Sequence, residues 1–197
     1  MTMTYNIYIC GIGGQGIIKT SIVIGQTALK EKQHVVMSEI HGMSQRGGVV
    51  STELKIGEDE SPIIQEGGAD LILAFEPVEA VRALEKSNKD TVVVVNTSVV
   101  LPSTINQQDV DYPDVDELIK ELESKVASVH PMNANKIALT AGHPLSMNMA
   151  MLGAVTAIDT FPLSKEDIIE TMKENLPPKT IDINLKAFEM GYEACRK

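Results

Sequence analysis

The period of the apolar positions changes along this chain in a way that separates its elements. Residues 5–10, YNIYIC, alternate apolar with other types and run straight into GIGGQG, as a strand does when it ends in a tight turn. From Gln15 to about Lys32 the spacing becomes three to four, with Ile18, Ile22, Gly25 and Leu29 on one face of an expected helix. HVVMSE reads as a second strand and VVSTELKIG as a third with period two. ADLILAF and TVVVV are short continuous apolar runs, the pattern of strands covered on both faces, and Pro77 suits the first turn of a helix through Leu84. The segment from Asn96 to Pro113 carries no period and reads as a surface excursion. Asp114 with Glu117 forms a capping pattern ahead of Val115, Leu118, Ile119, Leu122 and Val126, which share a helical face. A short strand is expected at 126–129, then helices near 133–140, 146–158, 164–175 and 180–195, the third opened by Ser164 with Asp167.

Strands alternating with helices imply a mainly parallel sheet, because parallel neighbours need a crossover. VVSTELKIG follows its predecessor without a helix and is expected to pair antiparallel. The expectation is one three-layer α/β/α domain over 1–197 with a mixed sheet and a mostly helical C-terminal third. At 197 residues and 43% hydrophobic content the chain can bury such a core. With 10 Met and no Trp, that core should be aliphatic.

Charge narrows the partners. A formal charge of -10 and a pI near 4.8 argue against non-specific binding to nucleic acid or an anionic membrane, so a phosphate-bearing ligand would need a local cationic site. No apolar run approaches the roughly 20 residues of a membrane span, and MTMTYN lacks the pattern of a signal peptide, so a cytoplasmic location is expected. The two cysteines, Cys10 and Cys195, form no CxxC pair and are too few for an iron-sulfur cluster, which takes about four thiolates; both read as packing residues.

Two stretches hold the candidate chemistry. GIGGQG puts Gly11, Gly13 and Gly16 in G-x-G-x-x-G spacing between a strand and a helix, where glycine allows a tight turn and free amides attract a phosphate or carboxylate. A crowded strand-to-helix turn could need the same glycines without any ligand. Glu39, ending the second strand, stands near the place of a ribose-binding acid. Directly after it comes HGMSQRGG, residues 41–48, which a simple dinucleotide fold does not require. There the Arg46 guanidinium suits phosphate or carboxylate, Gly47 and Gly48 let backbone approach closely, Ser44 and Gln45 add neutral hydrogen-bonding groups, and His41 could move a proton. The alternative is a glycine-flanked surface turn. His34, His130 and His143 are expected at a strand start, before a proline and in a turn, and no metal site is expected.

Taken together, GIGGQG, SEIHGMSQRGG, GADLILAFEP and NMAMLGA resemble the gamma domain of the 2-oxoacid:ferredoxin oxidoreductases, with wording nearest the indolepyruvate type. The likeness runs from about Asn6 to the last helix. It implies a subunit contributing to oxidative decarboxylation of aryl 2-oxoacids such as indolepyruvate and phenylpyruvate, with coenzyme A, to an aryl-acetyl-CoA, CO2 and reduced ferredoxin. Thiamine diphosphate, Mg and [4Fe-4S] clusters would then belong to a large alpha subunit, and ferredoxin would meet the complex rather than this chain. By the same resemblance Gly11, Gly13, Gly14, Gln15, Gly16, Ser38, Glu39, His41, Ser44, Gln45, Arg46 and Gly47 face the shared site, with His41 and Arg46 the possible contributors to its chemistry. One departure stands out: the turn before NMAMLGA reads AGHPLS, with His143 where the resemblance leads to asparagine. Two other readings compete, an independent NAD- or FAD-binding protein using the glycines and Glu39, and a purely structural interface subunit.

Overall fold

The computed structural model describes residues 4–42, 47–101 and 111–196. Along the chain run β1 (Tyr5–Ile12), α1 (Ile17–Lys30), β2 (Val35–His41), β3 (Val49–Ile56), β4 (Leu71–Ala74), α2 (Pro77–Arg82), β5 (Val92–Asn96), α3 (Val115–Glu123), β6 (Ser128–Met132), α4 (Ala134–Ala141), α5 (Met147–Thr156), α6 (Lys165–Asn175) and α7 (Ile181–Cys195). The strands form one sheet in the order β2-β3-β1-β4-β5-β6. β3 runs antiparallel to both β1 and β2, while β1, β4, β5 and β6 are parallel.

Period two in the strands divides the core between two helical layers. Ile7 and Ile9 of β1, Leu71 and Leu73 of β4, and Val92 and Val94 of β5 face the layer built from α1 and α4 to α7. Their neighbours Cys10, Ile72, Ala74, Val93 and Val95 face α2 and α3. Both faces of β4 and β5 are therefore covered, which is why these strands read as unbroken apolar runs. No helix among the described residues is long and apolar enough to cross a membrane.

Side chains fix most helix starts. Glu76 in extended backbone accepts from the amides of Val78 at 2.8 Å and Glu79 at 3.2 Å, ahead of Pro77 at the first helical position. The Tyr112 hydroxyl donates to the same carboxylate; burial and that hydrogen bond push its pKa upward. Asp114 caps α3 and Ser164 caps α6, as the sequence pattern indicates. The strand expected at 126–129 lies slightly later, at Ser128–Met132.

Helix α1 departs from expectation. Its buried stripe is Ile17, Ser21, Ile24 and Ala28, one residue ahead of the expected one, and Ile22 and Leu29 are 39% and 59% exposed. Hydroxyls explain the rotation. Ser21 Oγ lies 2.6 Å from Thr52 Oγ1 on β3, and Thr20 and Thr27 donate to backbone carbonyls one turn back, so these polar residues are buried without loss.

Helix α5 is buried on all sides from Met147 to Val155, and it meets α7 at two glycines. A methyl group at Gly153 would lie 2.0 Å from the Phe188 carbonyl oxygen, and one at Gly191 would lie 1.9 Å from that of Ala150. Gly153→Ala or Gly191→Ala must push the helices apart, with an expected loss of about 3 kcal/mol, roughly 6–12 °C in Tm by thermal unfolding. Gly25→Ala is the contrast. Its methyl would meet Val35 at 3.6 Å and Leu54 at 3.7 Å, ordinary contact within a helix, so Tm should rise by roughly 1–4 °C. Equal shifts for the three variants would show that helix contact at the two glycines does not limit stability.

Candidate functional site

The glycine loop lies where the sheet reverses its winding, since the chain leaves β1 toward β2 and β3 on one side and continues from β4 toward β6 on the other. Gly14 and Gly16 take positive φ values of 104° and 86°, and the Gly13 amide donates to the Gly48 carbonyl at 2.9 Å. The close of the β2–β3 connection therefore rests on the loop. Gln15 folds back into the crevice between β1 and β4. Its Oε1 accepts from the Ile12 amide at 2.7 Å and its Nε2 donates to the Phe75 carbonyl at 3.0 Å. A side chain at Gly11 would collide with that amide, coming to 2.5 Å from Oε1.

In dinucleotide-binding folds the ligand occupies this crevice; here a glutamine fills it. Glu39 does not border the crevice either, because β3 separates β2 from β1 by two strand spacings, about 10 Å. Glu39 instead faces His41 on its own strand, Oε2 to Nε2 at 3.2 Å. These features disfavour the NAD or FAD reading.

On the other side of the loop lies a cleft of about 360 Å³. Its floor consists of Gly14, Gly16, Lys19 and Asn148; one wall is the segment from His143 to Met147, and the other includes Leu176, Pro177 and Ile183. The floor is built for negative charge. Helix α1 begins at Gly16 with no side-chain cap and no acidic residue in its first turn, which leaves amides and the positive end of the helix dipole facing outward. Lys19, in that turn, is exposed and has no ion-pair partner among the described residues. Asn148 is 6% exposed, and its carboxamide has no hydrogen-bond partner among the described residues. It presses on Gly16, where a methyl would come 2.7 Å from Asn148 Nδ2. An uncapped helix start beside a cation and a carboxamide that opens to the cleft can hold a phosphate or carboxylate. No carboxylate or thiol occurs among the described residues that line the cleft.

Of the residues singled out in the sequence, Gly11, Gly13, Gly14, Gln15 and Gly16 come together, with Gly47 and Gly48 beside Gly13. Ser38, Glu39 and His41 lie on the outermost strand, where Ser38 Oγ is buried without a partner. Ser44, Gln45 and Arg46 lie outside the described residues. Lys19 and Asn148 were missed, and each had a signal. Lys19 occupies a first helical turn where an acid is the usual choice, and Asn148 is the polar residue of the otherwise apolar NMAMLGA. His41 on β2 and His130 on β6 stand at opposite edges of the sheet, and no group of three metal-ligating side chains occurs among the described residues. His34 Nδ1 lies 3.1 Å from the Gly57 carbonyl oxygen, just before β2. Cys10 and Cys195 are buried in separate clusters; burial, with Glu79 and Glu76 nearby, pushes the Cys10 thiol well up.

A family model described as pyruvate ferredoxin/flavodoxin oxidoreductase matches residues 6–194. The chain is 55% identical over 192 residues to indolepyruvate oxidoreductase subunit IorB of Methanothermobacter thermautotrophicus, covering 98% of each chain. Its fold is similar to pyruvate oxidoreductase subunit PORC of Thermotoga maritima, with TM-score 0.73, 21% identity and 96% of each chain covered. It is also similar to part of the 2-oxoglutarate:ferredoxin oxidoreductase of Magnetococcus marinus, solved with 2-oxoglutarate, coenzyme A and succinyl-CoA bound. That match has TM-score 0.72 and 19% identity, and covers 98% of this chain and 31% of the other.

The Gln15 contacts give a direct test. Gln15→Ala leaves the Ile12 amide without its acceptor in a part-buried crevice and should cost about 1 kcal/mol, read as a fall in Tm. Gln15→Glu should cost more, because a carboxylate oxygen would then face the Phe75 carbonyl. Titrating the wild-type chain with NADH or FAD should give no saturable binding; tight binding would mean that the crevice opens.

Proposed function

The chain belongs to the pyruvate ferredoxin/flavodoxin oxidoreductase family, and from that premise we propose that it is the small subunit of an indolepyruvate-type 2-oxoacid:ferredoxin oxidoreductase. The carrying observation is the identity of 55% to an indolepyruvate oxidoreductase subunit along essentially the whole chain. The proposed overall reaction takes an aryl 2-oxoacid, coenzyme A and oxidised ferredoxin to an aryl-acetyl-CoA, CO2 and reduced ferredoxin, two electrons leaving with each decarboxylation. Residues 1–197 act as one gamma-type domain, in the cytoplasm.

The redox cofactors do not fit this chain. A [4Fe-4S] cluster takes about four thiolates, and Cys10 and Cys195 point into apolar clusters on opposite faces of the sheet. The cleft offers no acidic side chain to hold the Mg that accompanies thiamine diphosphate. In this reading both groups reside on a large alpha subunit, and no step of their chemistry passes through residues of this chain.

The subunit's own contribution is to hold coenzyme A. The amides at the start of α1, the Lys19 ammonium and the Asn148 carboxamide receive one of its phosphates, and the apolar walls keep water from that contact. An anion held here is fixed relative to the glycine loop and to the close of the β2–β3 connection, so the cosubstrate is presented in one orientation. Arg46, assigned from the sequence, is proposed as a second cation for the same ligand.

Co-expression with a large alpha subunit should give an enzyme that turns over indolepyruvate, while the small subunit alone does not. In the assembled enzyme Lys19→Ala should raise KM for coenzyme A roughly 10–100-fold, as expected for a lost charge-assisted hydrogen bond of about 1.5–3 kcal/mol, and leave KM for indolepyruvate near its original value. Unchanged coenzyme A kinetics would reduce the chain to a structural interface subunit. Turnover by the isolated chain would overturn the assignment altogether.

A further inference from the structure

The wall of the cleft opposite Leu176 and Pro177 is a short turn fixed at both ends by hydrogen bonds, one of them to the His143 side chain. His143, in extended backbone, caps the 3-10 turn Pro144–Ser146, its Nδ1 accepting from the Leu145 amide at 3.1 Å. The His143 carbonyl accepts from the Ser146 amide at 3.1 Å and from Ser146 Oγ at 2.7 Å. That turn runs without a break into α5, whose second residue is Asn148. Leu145 is 75% exposed, so little packing holds it. The imidazole cap supplies what packing does not.

We propose that His143 is a positioning residue for the cosubstrate cleft: its Nδ1 cap fixes the Pro144–Leu145 wall against the Lys19–Asn148 floor. The inference rests on the reading that this cleft takes a phosphate of coenzyme A. The cap requires a lone pair on Nδ1, which an imidazole can offer. An asparagine can do the same work, because its side-chain carbonyl accepts from the amide two residues on in an Asx turn. A carboxamide at this position would therefore keep the wall's geometry as the imidazole does. Losing the acceptor frees Leu145 and widens the slot without touching the floor.

The test uses the assembled enzyme and three substitutions. His143→Ala should raise KM for coenzyme A about 3–10-fold with kcat held, the cost expected for losing a cap worth about 1 kcal/mol or somewhat more. His143→Asn should restore the wild-type KM. His143→Phe, which keeps a ring but no acceptor, should behave like the alanine variant. Lys19→Ala serves as the control for the underlying reading: if it leaves KM for coenzyme A unchanged, the cleft assignment has failed and not merely the role of His143. If Lys19→Ala raises KM while His143→Ala does not, or if His143→Phe matches wild type, the cap does not position the wall and the proposal is overturned. Thermal unfolding of the same variants guards against global effects; a fall in Tm that tracks KM across all three, with kcat falling too, would also overturn it.

Discussion

Contact between α5 and α7 at Gly153 and Gly191 is the constraint from which the rest of the structure follows. Backbone carbonyls of each helix occupy the space where the other's side chains would begin. That closeness lets a helix with no polar face lie wholly inside the protein, between the sheet and the outer helices. Its first turn is thereby carried to the glycine loop, and Asn148 is placed against Gly16. A larger residue at either crossing point would move α5 outward and carry Asn148 away from Gly16, opening the floor of the cleft.

The sheet explains why the open cleft lies on this side of the loop. In a doubly wound sheet, the crevice between the ends of β1 and β4 is the natural place for a nucleotide. Gln15 closes that crevice with two hydrogen bonds, and the antiparallel β3 moves β2 and its acidic residue away from β1. The helix start still presents its amides, but only toward α5 and α7. The glycine fingerprint thus borders a different pocket, and the difference comes from one side chain and one strand.

Much of this organisation can be read in the residues. Runs such as LILA and VVVV mark strands covered on both faces, and Asp114 and Ser164 mark their helices because capping is local chemistry. The orientation of α1 was not legible by apolar counting, since its buried stripe includes Ser21, whose hydroxyl is satisfied by Thr52 on a strand 31 residues away in sequence. The glycine loop was legible because its backbone demands glycine. The cleft was not, because it forms where α1, α5 and α7 meet and no local pattern encodes that meeting.

The charge of the chain bears on how such a cleft can work. With a net charge of -10, the protein as a whole would repel a polyanion such as the proposed cosubstrate at long range. At about 0.15 M salt that repulsion is screened beyond roughly 8 Å, whereas contacts in a partly closed cleft are screened far less. Binding must then come from groups that act at hydrogen-bond distance. Amides of a helix start, one ammonium and one carboxamide suit that need better than dispersed surface lysines. Short-range donors act only when their geometry is held, and α5, which carries Asn148 into the cleft, is held against α7 at Gly153 and Gly191.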